Sequence, residues 1–311
     1  RLADRYGVGA GNGMASITYA LGRCADLLRC SDLLDAAMIA ASELTPDRIE
    51  QEAQSDVLGG MAGIILTLLA VHQQTGEKHL LTAASIAGER LLSDQVKNAS
   101  GWRAWRTIDG QLCTGFSHGA AGIGFALAKL SSVTDDSRFQ RAAQEAVDFE
   151  RSLFCAIRRN WPIGEHAQNV SGDDAYLNRW CYGAAGIGLA RLGCQTIFDD
   201  PLFDEEIQTA IGLSCSTSWE GLDHLCCGNF GRLELLLETA RQRADNFLLA
   251  ETRTLAARLL SRAENNKRFE VLEDLPQGVS IPGFFTGVAG IGYQLLRLAA
   301  PNRFPSILMF Q

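Results

Sequence analysis

The stretch His118-Gly119-Ala120-Ala121-Gly122-Ile123-Gly124-Phe125-Ala126-Leu127-Ala128-Lys129-Leu130 decides how this chain folds. It opens on two glycines three residues apart and continues apolar on almost every side, the pattern of a helix buried all round. The same unit recurs five more times, as Gly13-Met14-Ala15-Ser16, Gly60-Met61-Ala62-Gly63, Gly183-Ala184-Ala185-Gly186, Gly228-Asn229-Phe230-Gly231 and Gly287-Val288-Ala289-Gly290. Only the first copy lacks the second glycine, with Ser16 in its place. Successive copies lie roughly 45–65 residues apart, and self-similarity on that scale marks a repeat architecture.

Longer amphipathic stretches run between the copies. From Asp136 to Phe154, Phe139, Ala143, Ala146, Phe149 and Leu153 recur at three or four residues. Asp136 or Ser137 is placed to cap the start. Leu248, Leu255 and Leu259 repeat the pattern later. The unit is therefore glycine turn, buried helix, loop, amphipathic helix, with no convincing strand alternation. An open α-solenoid and a closed α/α toroid both accommodate it. The long and variable spacing favours the toroid, an all-α double ring with inner helices facing the axis and outer helices facing solvent. Glycine turns at the N-termini of the inner helices would gather those termini at one end. There the partial positive charge and free N–H groups of helix starts would meet.

Composition narrows the class. The 311 residues carry a formal net charge of -8, and 47% are hydrophobic. The acidic balance excludes a sequence-independent nucleic-acid binder, which needs a basic face. No apolar run reaches the ~18 residues of a membrane span, the longest lying around Ile64 to Val71. No secretory signal is visible. The nine cysteines are Cys24, Cys30, Cys113, Cys155, Cys181, Cys194, Cys215, Cys226 and Cys227. An odd number scattered without a secretory signal is a poor disulfide framework and fits thiols in a cytoplasmic chain. The sequence opens at Arg1 and runs at once into a glycine motif, so it reads as one domain over 1–311, excised or N-terminally truncated.

The residues just ahead of the turns carry chemistry. Asp56 lies four before Gly60, and His118 immediately precedes Gly119. Cys181 lies two before Gly183, while Cys226 and Cys227 directly precede Gly228. Three thiols at equivalent places suggest zinc, which takes thiolates and in catalytic sites keeps a fourth position open. Buried core cysteines would give the same residues, and no Cys-x-x-Cys knuckle is present. His118 reads as a functional imidazole or as a helix-capping one. His72 and His79 belong to a helix-loop region and His166 to a surface loop. His224, two before Cys226, is a substitute ligand. The other six cysteines read as structural thiols.

His118-Gly-Ala-Ala-Gly-Ile-Gly124, Trp180-Cys181-Tyr182-Gly183-Ala-Ala-Gly-Ile-Gly188, Cys226-Cys227-Gly228 and Pro282-Gly-Phe-Phe-Thr-Gly-Val-Ala-Gly-Ile-Gly292 together resemble the lanthipeptide cyclase (LanC-like) family. The resemblance covers nearly the whole chain and is nearest to the C-terminal half of class II synthetases, the LanM type, also in Tyr293-Gln-Leu-Leu-Arg297-Leu and Phe304-Pro305-Ser306. The family's usual zinc ligands are Cys, Cys and His, the last two adjacent. The adjacent pair Cys226-Cys227 instead resembles the three-cysteine subgroup known from prochlorosin synthetases, whose enzymes are associated with many substrates.

The resemblance implies a toroid of seven inner helices, of which six glycine turns are present. It implies Zn²⁺ on Cys181, Cys226 and Cys227. The activity it implies is Michael addition of cysteine thiols to dehydroalanine or dehydrobutyrine in a dehydrated precursor peptide, with leader and Cys-containing core, giving lanthionine and methyllanthionine rings. His118 would be the general acid, its ordinary pKa of ~6.5 lying near operating pH, and Asp56 would orient it. Helix N-termini would steady the enolate oxygen. An arginine often precedes the first zinc cysteine in this family, and Arg179 stands near that place. LanM proteins carry an N-terminal dehydratase domain, which this chain lacks. Eukaryotic LanC-like relatives offer the alternative of a thiol- or peptide-binding protein. An (α/α)₆ glycosidase would need two facing carboxylates, and only Asp56 takes a turn position.

Overall fold

The computed structural model describes residues 2–167, 172–274, 276 and 278–311. Within them lie α1 (Leu2–Tyr6), α2 (Met14–Leu28), α3 (Ser31–Ala41), α4 (Pro46–Gln51), α5 (Met61–Thr75), α6 (Lys78–Asp94), α7 (Ala120–Thr134), α8 (Ser137–Leu153), α9 (Ala184–Cys194), α10 (Phe203–Ser216), α11 (Asn229–Gln242), α12 (Asn246–Asn266) and α13 (Val288–Ala299). Each of α2, α5, α7, α9, α11 and α13 begins at a glycine of the repeat, and they pack on one another in chain order as an inner ring. The outer helices α3, α6, α8, α10 and α12 each pack on the inner helix before them. The fold is the α/α toroid that the repeat predicts. Among the described residues no helix is long and apolar enough to cross a membrane.

Burial follows the pattern of each stretch. Every residue of α5 from Met61 to Val71 is buried, and every residue of α11 from Asn229 to Ala240. On α12 the buried residues Thr252, Ala256, Leu259 and Ala263 form one stripe. On α8 the stripe read from the sequence is buried, and the Asp136 carboxylate caps the helix by accepting the Arg138 N–H. Two carboxylates within α11, Glu234 and Glu238, would be costly to bury alone. Arg297 of α13 pairs with both, and Gln294 and Ser306 donate to Glu234. A hairpin of β1 (Val96–Lys97) and β2 (Arg103–Ala104) departs from the all-helix reading. Two residues a side are too few to show alternation. Its turn is set by Asn98, whose side-chain oxygen accepts the Ser100 and Trp102 N–H groups.

The loop before each inner helix doubles back over the helix start. First-turn N–H groups are taken by carbonyls seven residues earlier, as in Met61 to Gln54, Ala120 to Cys113, Asn229 to Leu222 and Val288 to Ile281. This satisfies the donors that a helix start leaves unpaired. It also corrects one expectation, because these N–H groups are spent on the loop and do not face a ligand. The second glycine of the repeat lies where the loop crosses the helix. A Cβ on Gly122 would stand 1.8 Å from the Phe116 carbonyl oxygen. Gly122→Ala must therefore push backbone apart, a cost expected at or above the top of the ~1–3 kcal/mol overpacking range. A thermal melt should show a Tm several degrees lower. By contrast Gly292, within α13, has nothing within 4 Å of its added Cβ, and Gly292→Ala should stabilise by ~0.5–1 kcal/mol. Indistinguishable melts for the two variants would remove the crossing as the reason for the repeat.

Successive turns are also joined backbone to backbone. Gly11 donates to Leu58, Val57 to Ser117, Phe116 to Trp180, Cys181 to Cys226 and Cys226 to Phe285. These bonds tie the six turns into an arc at one end of the ring. No corresponding bond joins the sixth turn to the first among the described residues. Between α13 and α2 runs an apolar groove of about 550 Å³, lined by Ile17, Ala20, Leu27, Phe284 and Tyr293 among others. The described residues thus supply six of the seven inner helices that the resemblance implies, with this groove between the first and the last. At the opposite end the chain after α13 folds under the ring. There the Tyr19 hydroxyl donates to the Gln311 carbonyl and Phe310 packs on the Tyr19 ring.

Candidate active site and metal centre

The arc of turns brings three sulfurs together. Cys181 comes from the fourth turn, Cys226 and Cys227 from the fifth, and the Cys181 N–H donates to the Cys226 carbonyl at 3.2 Å. Cys181 Sγ lies 3.2 Å from Cys227 Sγ, which lies 3.6 Å from Cys226 Sγ. All three sulfurs are within 4.8 Å of one another. Cys181 and Cys226 are buried and Cys227 is half-buried. Ligands ~2.3 Å from a tetrahedral zinc stand ~3.8 Å apart, so the spacing suits one metal ion.

Three thiols this close cannot all ionise unaided. Hydrogen bonds with Cys226 and Cys227, then burial, push Cys181 well above the ordinary thiol range. Contact with Cys181 favours the Cys226 thiolate, but contact with Cys227 and burial outweigh it and push Cys226 up. Contact with Cys181 and Cys226 instead favours the Cys227 thiolate and draws it far down. A bound cation would favour the thiolate form at all three and release the protons they carry.

His224 stands apart from this set. Its Nδ1 accepts the Cys227 N–H at 3.3 Å, and among the described residues the group able to hold a metal is the three cysteines without it. The imidazole is spent on shaping the turn, so the substitute-ligand expectation finds no support.

The second and third turns place a carboxylate and an imidazole together. Asp56 Oδ2 accepts from His118 Nδ1 at 2.8 Å, and Asp56 Oδ1 accepts the Gly59 N–H at 2.6 Å. An ionised carboxylate only accepts, so the His118 proton sits on Nδ1 and Nε2 is left for other work. The Asp56 side chain is 6% exposed and that of His118 17%. The His118 ring lies 5.5 Å from the Tyr182 ring, and Tyr182 follows Cys181. Gly115 makes this approach possible. It adopts φ +97°, and a Cβ there would meet Tyr182 Cα at 2.5 Å and the Cys181 carbonyl oxygen at 2.6 Å. Beneath the turns Trp180 stacks between Phe116 at 5.6 Å and Phe285 at 5.5 Å.

Two residues here carried little signal in the sequence. Tyr182 had only its place beside Cys181. Arg179 is half-buried, and its positive charge favours the thiolates of Cys226 and Cys227. Cys113 is buried, and burial pushes its thiol up. Asp223, a second buried carboxylate at these turns, is taken up by Arg262, Asn229 and the Glu270 N–H. A glycosidase would need it free to face Asp56.

A sequence model described as Lanthionine synthetase C-like protein matches residues 1–309. The chain belongs to the lanthionine synthetase C-like family. Among curated proteins it is similar to the lacticin 481/lactococcin biosynthesis protein LcnDR2 of Lactococcus lactis subsp. lactis, 23% identical over 284 residues. That match takes in 86% of this chain and 28% of the relative, so the chain spans little more than a quarter of that protein's length. Among solved structures, nisin cyclase superposes with a TM-score of 0.71 at 17% identity, covering 99% of this chain and 82% of that one. A GH76 α-mannanase from Bacteroides thetaiotaomicron follows the same path at a TM-score of 0.59 and 12% identity, over 93% of this chain and 84% of that one. At these identities the structural likenesses show the toroid alone. Membership of the lanthionine synthetase C-like family marks the chain as an enzyme of the cyclase kind.

Proposed function

We propose that this chain is the cyclase part of a class II lanthipeptide synthetase of the three-cysteine type. It adds cysteine thiols of a dehydrated precursor peptide to dehydroalanine or dehydrobutyrine, forming lanthionine and methyllanthionine rings. The observation that supports this most is the gathering of three cysteine sulfurs at the same end of the toroid as the His118–Asp56 pair.

Cys181, Cys226 and Cys227 would hold Zn²⁺, whose bound charge favours the thiolate form of an incoming substrate cysteine. The three sulfurs leave room for that one further thiol. Attack on the alkene Cβ makes the C–S bond and moves an electron pair toward the adjacent carbonyl, leaving Cα one proton short. His118, oriented by Asp56 through Nδ1, takes up a proton on Nε2 and delivers it to Cα. The proton given up by the substrate thiol restores the balance, so ring closure leaves the peptide mass unchanged. The first-turn N–H groups are engaged by loop carbonyls, so the growing negative charge falls to side chains around the sulfurs.

The partner is a precursor peptide with a leader and a Cys-containing core, in a cytoplasmic setting. A covalently joined dehydratase domain is supported by the length of the lacticin relative, of which this chain matches 28%. Incubation with a pre-dehydrated, Cys-containing peptide tests the reading. Free thiol should disappear at constant mass. Tight binding without thiol loss would point instead to a thiol- or peptide-binding protein.

A further inference from the structure

A buried carboxylate braces the turn that carries His118, and the proposed chemistry makes no use of it. Glu150 lies on α8 and is 0% exposed. Its Oε1 accepts the N–H of Gly115 at 3.1 Å and of Ala121 at 3.0 Å, three residues to either side of His118. Its Oε2 accepts from Arg191 Nη2 of α9 at 2.9 Å. Arg191 is buried too, and its Nε donates to Glu206 of α10 at 2.7 Å. Glu206 and Asp200 in turn share Arg151, at 2.5 and 2.8 Å. A linked row of charges thus runs from the outer helices to one turn.

That turn departs from the pattern of its neighbours. The N–H two residues after the first glycine bonds the loop's own carbonyl in the first, second and fifth turns, as Ala15 to Val8, Ala62 to Ser55 and Phe230 to Asp223. In the third turn the equivalent Ala121 N–H goes to Glu150. The carboxylate also fixes Gly115, which rests on Cys181 and Tyr182. One side chain therefore holds the His118 turn at both ends and sets it against the turn that carries the first sulfur. Burying a charge for this is costly, and a neutral loop contact suffices in the first, second and fifth turns.

We infer that Glu150 is a positioning residue for His118, fixing where its imidazole stands relative to the three sulfurs; this rests on the cyclase reading. Glu150→Asp keeps the charge for Arg191 but withdraws the carboxylate by one bond from the two N–H groups. Steady-state ring closure on a pre-dehydrated peptide should show kcat lowered ~10-fold or more, since misplacement by ~1 Å can cost ~10²-fold. KM and zinc content should not change. Glu150→Gln, which keeps an acceptor for the turn, should recover most of the rate. In a His118→Asn background, Glu150→Asp should cost less than ~2-fold, because a residue acting through another loses its effect when that other is gone. Equal losses in both backgrounds would make Glu150 a fold-stabilising residue and overturn the inference. If the unaltered chain closes no ring, the cyclase reading fails, and the ¹⁵N spectrum of the imidazoles decides the brace alone. A His118 Nδ1 resonance displaced in Glu150→Asp and restored in Glu150→Gln supports it, and an unmoved resonance in Glu150→Asp sinks it.

Discussion

Replacing Cys181 by alanine is expected to abolish metal binding and ring closure together. Two sulfurs would remain, too few for a site that takes three protein ligands and one exchangeable position. The fold should survive the change. The link between the fourth and fifth turns runs through the backbone of Cys181, not its side chain, and Trp180 stays stacked between Phe116 and Phe285. The fall in activity therefore reads on the metal and not on the scaffold. Metal analysis should give about one zinc per chain in the parent and close to none in Cys181→Ala, with circular dichroism unchanged. Thiol loss from a pre-dehydrated peptide should drop to the enzyme-free rate. Full zinc content in Cys181→Ala would remove Cys181 from the ligand set and return His224 to consideration.

His118→Asn should behave differently, keeping its zinc while closing rings ~10²–10⁴-fold more slowly, the usual weight of a general acid–base group. The position of the imidazole supports this. His118 Nδ1 is occupied by Asp56 at 2.8 Å, and the ring meets the thiol site through Tyr182 at 5.5 Å. The sulfurs form a set without it. Zinc lost from His118→Asn would make the imidazole a ligand and end the three-cysteine assignment. A full rate with zinc retained would reduce His118 to a structural role and leave proton delivery to Asp56 or water.

The inner helices were readable because their signal is local. In five of the six turns a glycine stands where the loop crosses the helix, and an apolar run follows it, so each copy announces itself within about ten residues. The outer stripe of α8 was readable for the same reason. The five turn residues Asp56, His118, Cys181, Cys226 and Cys227 could be named because the repeat gives them a register. What lay outside a register stayed hidden. Glu150 sits 35 residues from Gly115 and 29 from Ala121, on a helix whose sequence shows only an amphipathic face. The path of the loop back over each helix start, which consumes the N–H groups, is set by the crossing in space and leaves no period in the sequence. The pairing of Tyr182 with His118 depends on the third turn lying on the fourth, and Gly115 records that contact without naming its partner.

The backbone bonds between turns have a consequence for how the ring breathes. Asp56, His118, Cys181 and the Cys226–Cys227 pair come from the second to the fifth turns, the interior members of the arc, while the first and sixth flank the open groove and contribute none of them. Opening should therefore begin at the two flanks, where each turn has a bonded neighbour on one side only. Amides such as Gly11 should exchange with deuterium soonest, and Phe116 and Cys181 last. Local unfolding of this kind spans a range of free energies within one protein, and here the most protected hydrogens would be those nearest the sulfurs. The toroid could fray at its margin many times over while the reacting groups keep their places.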